Sequence, residues 1–338
     1  MFKFGVIGID HRHVYHLIGE LLKCGIECAG YWDATSDDKV LQGIEERFPQ
    51  IPRVDRQALL QDPGVQLIVT AAIPSERAGI AIEAMRHGKD VLSDKPGITD
   101  YDQLEQVRAT ALATGRIFSI CFSERMVVPA VGAALQLVRE GAIGRVVQTM
   151  GMGPHRLNPA IRPGWFFDKR QYGGILVDIA SHQIDQFLVF TGSTDGVVEA
   201  ASVGHFGSRT APDFQDFGEV LLSSPGTGSR GYVRVDWFTP DGLPTWGDGR
   251  LFILGTEGHI ELRKYIDLEG RPGTDHLLLA NHEGTRYLHC EGRPLDFFAQ
   301  LVRDVQERTA TAMSLDHALL VTRLALDADA LARKRSAA

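Results

Sequence analysis

The sequence has little of what marks membrane, disulfide-rich or nucleic-acid-binding proteins. No apolar run approaches the roughly 18 residues that a membrane-spanning helix needs, and no basic segment followed by an apolar one opens the chain as a secretion signal would. Four cysteines form no Cys-x-x-Cys pair, so reduced core thiols are expected. A net charge of −8 argues against binding to a nucleic acid, whose phosphate backbone attracts basic proteins. We therefore expect a cytoplasmic protein with no membrane and no nucleic-acid partner.

Strand-like and helix-like segments alternate through the first third of the chain. Short apolar runs at 2–9, 26–32, 65–73, 90–92 and 117–122 predict strands, and the spacing of apolar residues predicts helices at 14–23, 40–48, 78–86 and 101–114. Strands separated by helices of this length form βαβ units with a parallel sheet. Residues 1–124 are therefore predicted to form an α/β domain with helices on both faces of the sheet.

The pattern changes near residue 125 and predicts a second, α+β domain over 125–338 with an open sheet. Helices are predicted at 129–140, 181–190 and 295–334, and strands at 146–152, 197–206, 217–223, 231–238, 251–254 and 259–263. The segment 237–250 carries two tryptophans and reads either as a hairpin connection or as a loop that covers a neighbouring subunit.

The first strand and its turn resemble a dinucleotide-binding fingerprint that has lost two glycines. Gly8 fits the first glycine, and Asp33 ends the second strand, where an acid accepts hydrogen bonds from the adenosine ribose. Asp10 and His13 occupy the other glycine positions. Asp10 either repels a pyrophosphate, caps the first helix, or is offset by its basic neighbours. The turn residues Gly8, Ile9, Asp10 and His11 are predicted to contact the cofactor.

Three histidines in this turn also allow a metal hypothesis. His11, His13 and His16 could ligate an ion together with Asp10. The alternative is a turn cap with surface histidines, and on that basis we expect no metal.

Two later motifs resemble a known family. Ser93-Asp94-Lys95-Pro96 closes a predicted strand, and residues 173–185 read GGILVDIASHQID. Together with the first turn, they resemble the glucose–fructose oxidoreductase / inositol dehydrogenase / MocA (Gfo/Idh/MocA) family along essentially the whole chain. Asp94 stands where the family has glutamate, and Ala180 stands where it has glycine. The resemblance implies a Rossmann domain followed by a domain with a large, mostly antiparallel open sheet.

The resemblance also implies site residues. Lys95, Asp178 and His182 would be catalytic, with a Lys95-Pro96 bond that is often cis in the family. Cofactor contacts would further include Ile73, Pro74, Asp94, Pro96 and Arg125, although residues 74–78 (PSERA) depart from the family's P-N-x-x-H pattern. NAD is expected rather than NADP, because residues 34–38 contain no base for a 2′-phosphate.

The residue types agree with that implied chemistry. Asp178 and His182 are four apart and would share one helix face. A histidine can transfer a proton near neutral pH, and the lysine cation can stabilise charge on a reacting oxygen. These features predict hydride transfer with a secondary alcohol.

The substrate class follows mainly from the resemblance: a sugar, sugar derivative or cyclitol. Donor and aromatic side chains before the predicted catalytic helix suit a polyol, and His155, Arg156, Arg162 and Trp165 are the candidates. The family also implies a homodimer or homotetramer through the C-terminal sheet.

Two other functions compete with this hypothesis. An enzyme of the same fold could use bound NAD to cleave a glycoside without net NADH release. A catalytically silent nucleotide-binding homologue would account for the missing glycines but not for Lys95, Asp178 and His182.

Overall fold

The structure, a computed structural model, describes residues 2–35, 37–207 and 213–336. The chain divides into two compact units. The first combines residues 1–121, 163–173 and 296–319, and the second combines 122–162, 174–295 and 320–338. Among the described residues, no helix is both long and apolar enough to cross a membrane.

The elements up to residue 121 alternate as predicted. In chain order they are β1 (Lys3–Ile7), α1 (Val14–Lys23), β2 (Glu27–Trp32), α2 (Asp38–Arg47), α3 (Arg56–Gln61), β3 (Val65–Thr70), α4 (Pro74–Arg86), β4 (Asp90–Asp94), α5 (Tyr101–Thr114) and β5 (Phe118–Cys121). The bounds of α1 and α5 match the prediction. Helix α4 begins four residues earlier than predicted, because Pro74 occupies the first helical turn, where its missing N–H costs nothing.

The remaining elements are helices and the strands of a second sheet. In chain order they are α6 (Ser123–Met126), α7 (Pro129–Arg139), β6 (Val146–Pro154), α8 (Lys169–Tyr172), α9 (Ile175–Asp178), α10 (Ala180–Thr191), β7 (Val197–Gly204), β8 (Phe217–Ser223), β9 (Arg230–Asp236), β10 (Arg250–Gly255), β11 (Gly258–Arg263), β12 (His276–Asn281), β13 (Gly284–His289), α11 (Phe297–Glu307) and α12 (Leu315–Ser336). Short 3₁₀ turns lie at Pro159–Ile161 and Gly164–Phe167.

The first unit contains the predicted parallel sheet. Its strand order is β2-β1-β3-β4-β5, and all neighbouring strands are parallel. Strands β3, β4 and β5 are almost entirely buried, as expected for a sheet covered on both faces. The chain leaves β1 toward one side and β3 toward the other, so ligands are expected at the carboxyl ends of these two strands.

The second unit contains an eight-stranded sheet in the order β13-β12-β11-β10-β6-β9-β8-β7. Every neighbouring pair is antiparallel except β6 and β9. One face packs against α7 and α10 and forms an apolar core that includes Ile253, Ile260 and Leu277. Gly151 lets α10 approach β6, because a Cβ there would lie 2.6 Å from the Cγ of Gln183.

Two predicted elements were wrong in detail. The segment that joins β9 to β10 is not a hairpin, because both strands flank β6 and the connection must cross over it. The predicted helix 295–334 is two helices, since Arg308 ends α11 with a left-handed φ of 60°. Of the four cysteines, Cys28, Cys121 and Cys290 are buried, Cys24 is half-buried, and all are free thiols.

Candidate active site

The turn after β1 packs tightly on the end of β3. Gly8 has a φ of +86°, and its N–H donates to the carbonyl of Trp32 at 2.9 Å. A Cβ at Gly8 would lie 2.4 Å from the Cβ of Ala72. Both the conformation and the close approach therefore require glycine at this position.

Asp10 does not cap α1, so that alternative was wrong. Its buried carboxyl hydrogen-bonds the Thr35 side chain and the backbone of Ile73. Burial raises the pKa of Asp10, and those hydrogen bonds only partly oppose the rise. The N-cap of α1 is His13, without a side-chain cap, and the first turn carries no acidic residue. Because no described side chain caps α1 and its first turn is not acidic, the N–H groups at the start of α1 can still attract an anion.

Basic side chains reach the end of β2 from later in the chain. Arg53 places its Nε 3.0 Å from Oδ2 of Asp33, and the guanidinium of Arg56 lies 5.2 Å from the ring centroid of Trp32. Between this strand end and the Gly8 turn lies a cavity of about 280 Å³, which Asp10, Glu76 and Arg56 help to line. Burial also raises the pKa of Glu76, with a smaller contribution from the charge of Asp10.

The end of β4 is held by a fully buried arginine. Arg77 on α4 donates to the carbonyls of Ala72 at 2.7 Å, Lys95 at 2.5 Å and Pro96 at 3.2 Å. Lys95 is 5% exposed, and the Lys95-Pro96 peptide is cis, as expected. The network fixes the backbone that carries Lys95.

Asp94 lies between this arginine and two histidines. Nη2 of Arg77 is 3.2 Å from Oδ2 of Asp94, and Nδ1 of His13 is 2.9 Å from Oδ1. Burial alone would raise the pKa of Asp94, but His13 and Arg77 outweigh it and hold that pKa far below its usual range. Burial and the neighbouring His13 lower the pKa of His11, which is therefore neutral at physiological pH.

The predicted catalytic helix of the second unit is interrupted. Asp178 ends the four-residue helix α9, Ile179 joins α9 to α10 with a φ of −103° and a ψ of −47°, and His182 lies in the first turn of α10. The predicted helix 181–190 corresponds to α10, and Asp178 lies in the short helix just before it. Asp178 is 8% exposed and His182 is 2% exposed. The ring of Phe122 meets the His182 imidazole edge to face, with centroids 6.4 Å apart.

A buried ion pair lies close to this histidine. Nζ of Lys264 is 2.7 Å from Oε2 of Glu124, and Nε2 of Gln183 donates to the same oxygen at 2.9 Å. Burial opposes ionisation of Glu124, but the charge of Lys264, with contributions from His182 and His155, lowers its pKa to about 2. Glu124 therefore stays ionised across the physiological range.

Arg125, a predicted cofactor residue, belongs to the second unit. Its guanidinium forms two hydrogen bonds with the carboxylate of Asp185, at 2.6 and 2.8 Å. Asp185 is fully buried, and this pair ties α6 to α10.

Three of the predicted substrate residues lie together in the second unit. His155 contacts the rings of Trp237 and Trp246, with centroids 5.3 and 4.6 Å away. Arg156 donates to the carbonyls of Pro240 and Leu243, and it helps to line a cavity of about 790 Å³.

The third residue of this group is Arg162, and the fourth candidate is Trp165. Arg162 stacks over the ring of Trp237 at 5.3 Å. Trp165 belongs to the first unit, where it is half-buried and its ring lies 6.2 Å from that of His11.

Two family models cover most of the chain. Residues 2–122 match the model of an oxidoreductase family with an NAD-binding Rossmann fold, and residues 131–261 match the Gfo/Idh/MocA C-terminal domain. The chain belongs to the Gfo/Idh/MocA family of oxidoreductases. The first unit thus contains an NAD-binding Rossmann domain, which confirms the predicted fold class, enzyme class and cofactor.

Similar proteins in this family act on polyols or remain unassigned. The chain is 24% identical over 259 residues to scyllo-inositol 2-dehydrogenase (NAD(+)) from Bacillus subtilis, covering 74% of this chain and 71% of that protein. It is 28% identical over 189 residues to levoglucosan dehydrogenase from Pseudarthrobacter phenanthrenivorans, covering 54% and 47%. A solved structure from Erwinia carotovora atroseptica, named only as an oxidoreductase, has a TM-score of 0.94 and 42% identity over 98% of this chain and 99% of that one.

The residues of the first unit fit the family's nicotinamide dinucleotide. Gly8 makes the close approach that only glycine allows, and the first turn of α1 carries no acidic residue. Asp33 directly follows β2, where a ribose acceptor is expected. The predicted contacts Ile9, Ile73 and Pro74 follow β1 and β3 at the same edge of the sheet, and Asp94 to Pro96 close β4. These residues would hold the nicotinamide dinucleotide.

Sequence reasoning missed the residues that support this site. Arg77 looks like an ordinary helix residue, and Glu124 and Lys264 lie 140 positions apart. Arg53 and Arg56 lie at least 20 positions after Asp33, so no local motif links them to it. No spacing in the sequence signalled these contacts, because each depends on how separate strands are paired.

Proposed function

We propose that the protein transfers a hydride between NAD and a secondary alcohol of a sugar, sugar derivative or cyclitol. The observation that carries this proposal is the placement of Lys95 at the carboxyl end of β4, buried and fixed by Arg77. A buried lysine that ends a strand of an NAD-binding sheet suits the stabilisation of charge on a substrate oxygen.

Each proposed catalytic residue has one role. When bound, the nicotinamide supplies the hydride acceptor or donor. His182 takes the proton from the substrate hydroxyl, Lys95 stabilises the resulting oxygen charge, and Asp178 orients the reacting groups. Burial of His182 excludes water from its imidazole and keeps its position fixed.

The substrate class rests on the named relatives and on the chemistry of the candidate substrate side chains. Inositol and levoglucosan are both ring polyols, and His155, Arg156, Arg162 and Trp165 offer hydrogen bonds and ring faces for such a molecule. Two tryptophans beside His155 add apolar surface for the ring carbons.

The test is a screen of polyols with NAD, read from the absorbance of NADH. We expect turnover with at least one of scyllo-inositol, levoglucosan and D-xylose, and His182→Ala should lower kcat by about 10²–10⁴. His87→Ala, at an exposed histidine of the first unit, should leave kcat unchanged. Wild-type turnover in His182→Ala would overturn the role of the base, and sugar conversion without net NADH would instead indicate the glycoside-cleaving reaction.

We also propose that the protein is a homodimer or homotetramer that associates through the uncovered face of the eight-stranded sheet. Met150, Leu221 and Leu254 lie exposed on the strands of that sheet, 38%, 41% and 46% accessible. Apolar surface of this kind is typical of an interface. Light scattering after gel filtration should give two or four chains per particle, and a monomer would contradict the proposal.

A further inference from the structure

Three metal-ligating side chains converge at the carboxyl edge of the parallel sheet. His11 and His13 come from the turn after β1, and Asp94 ends β4. Their ligand atoms all lie within 4.8 Å of one another. All three residues belong to the first unit.

The hydrogen bonds orient this group as a set of ligands. The backbone N–H of His13 donates to Nδ1 of His11 at 3.3 Å, so this Nδ1 carries a lone pair rather than a proton. The same nitrogen lies 3.4 Å from Oδ2 of Asp94. An unprotonated ring nitrogen and a carboxylate oxygen are therefore neighbours, and a cation bound between them would replace the long hydrogen bond from His13 N–H.

Asp94 supplies an independent observation. The residue is 1% exposed, and its Oδ2 makes no hydrogen bond with any described part of the chain. Nη2 of Arg77 lies 3.2 Å from this oxygen in an ion pair. This buried oxygen is balanced in charge but accepts no hydrogen bond, so it keeps a lone pair that an ion could use.

The distances and donor types suit zinc. Bonds of about 2.1 Å in a tetrahedral site place ligand atoms about 3.4 Å apart. The distance between Nδ1 of His11 and Oδ2 of Asp94 equals that value. Nδ1 of His13 lies 2.9 Å from the other oxygen, Oδ1, so metal binding requires the 40% exposed ring of His13 to shift and to give up that hydrogen bond. Two imidazoles with one carboxylate favour zinc over calcium or magnesium, which prefer oxygen ligands.

We propose that His11, His13 and Asp94 bind one divalent transition-metal ion, zinc by preference, with a fourth position open to solvent or ligand. Arg77 holds Asp94 in place as an outer partner, and its positive charge limits the affinity. The site differs from the cluster considered from sequence. The carboxyl of Asp10 turns to Thr35 instead, and His16 lies near Glu20 at 3.9 Å. This proposal replaces the expectation of no metal and does not depend on the proposed dehydrogenase activity.

The experiment measures metal binding to the full chain without nicotinamide or sugar. Protein purified without a histidine tag is stripped with a chelator and titrated with zinc by calorimetry, and with cobalt by visible absorption. We expect about one ion per chain, and a visible spectrum typical of cobalt with a low coordination number. His11→Ala and His13→Ala should each weaken zinc binding by about 100-fold, whereas His282→Ala, at an exposed turn, should bind like the wild type.

Two results would overturn the proposal: no cobalt spectrum with the wild-type chain, or equal zinc affinity in the wild type and all three variants. Circular dichroism verifies folding of each variant. If His11→Ala fails to fold, His13→Gln at the more exposed histidine provides the same comparison. Because no substrate or cofactor is present, failure of the dehydrogenase proposal would leave this result unaffected.

Discussion

Arg53 neutralises the buried carboxylate of Asp33 through an ion pair in which Nε and Oδ2 are 3.0 Å apart. The pair lies at the end of β2, where family members hold the adenosine ribose. It places a cation where the residues directly after Asp33 supply none, so the enzyme should tolerate a 2′-phosphate better than its local sequence suggests.

Arg53→Ala should therefore impair NADP use more than NAD use. Without the guanidinium, the Asp33 carboxylate repels a 2′-phosphate, and we expect kcat/KM for NADP to fall about tenfold, or about 1.4 kcal/mol. For NAD the change should be a few-fold at most. Arg303→Ala, at an exposed position of α11, is the control. Equal losses with both cofactors would contradict this assignment.

Asp10→Asn should increase the affinity for NAD. The substitution removes a negative charge from the turn that is predicted to contact the cofactor, while keeping a hydrogen-bonding oxygen for Thr35. We expect binding roughly fivefold tighter, or about 1 kcal/mol, measured by fluorescence titration with NADH. Asp38→Asn, exposed at the start of α2, should have no effect. Weaker binding would show that the Asp10 carboxylate assists the cofactor.

Gly8→Ala should destabilise the first unit. The new Cβ would meet Ala72 at 2.4 Å in a backbone conformation that L-residues rarely adopt. The expected loss is about 1–3 kcal/mol in the free energy of unfolding, measured with urea. Gly19→Ala, inside α1 with nothing within 4 Å of the new Cβ, should instead stabilise by about 0.5–1 kcal/mol. Similar values for both variants would refute the argument from close packing.

Lys264→Met should lower the free energy of unfolding far more than the loss of a surface ion pair does. It leaves Glu124 buried without its counter-charge, which costs about 3–5 kcal/mol. Adding Glu124→Gln should restore much of that stability. Lys23→Met removes a lysine that is 74% exposed and paired with Glu20, and should cost about 0–1 kcal/mol. A double variant no more stable than Lys264→Met would exclude charge as the cause.

Glu124 should also make the fold sensitive to acid. Its folded pKa of about 2 lies below the usual 4.5, so the ionised carboxylate contributes its full stability above pH 4.5 and loses it as the pH falls toward 2. Urea midpoints measured across that window should fall more steeply for the wild type than for Glu124→Gln. Parallel slopes would mean that the pair is not responsible.

Local patterns in the sequence were enough to predict the parallel sheet and the helices α1 and α5. Gly8 was also placed correctly in the turn after β1, where its φ is +86°. Both features depend on residues adjacent in the chain, and such residues can be interpreted without knowing the tertiary structure.

Other features depend on strand pairing and could not be predicted. Arg53 reaches Asp33 because its backbone bridges to Tyr31 beside β2. The interruption between α9 and α10 at Ile179 could not be predicted, because no proline or glycine lies at that point of the chain. The crossover from β9 to β10 depends on β6 lying between them, and the turn residues that flank these strands do not indicate the strand order.

The first unit is assembled from three stretches of chain, and its last stretch carries Arg308. That guanidinium donates to the buried carboxylate of Asp90 at 2.6 Å and to the carbonyl of Gly115 at 2.7 Å. During translation, the ribosome must therefore finish most of the polypeptide before Asp90 receives its counter-ion. A fragment cut after the fifth strand would leave that carboxylate without its cation, so the nucleotide-binding half is complete only after residue 308 has been synthesised.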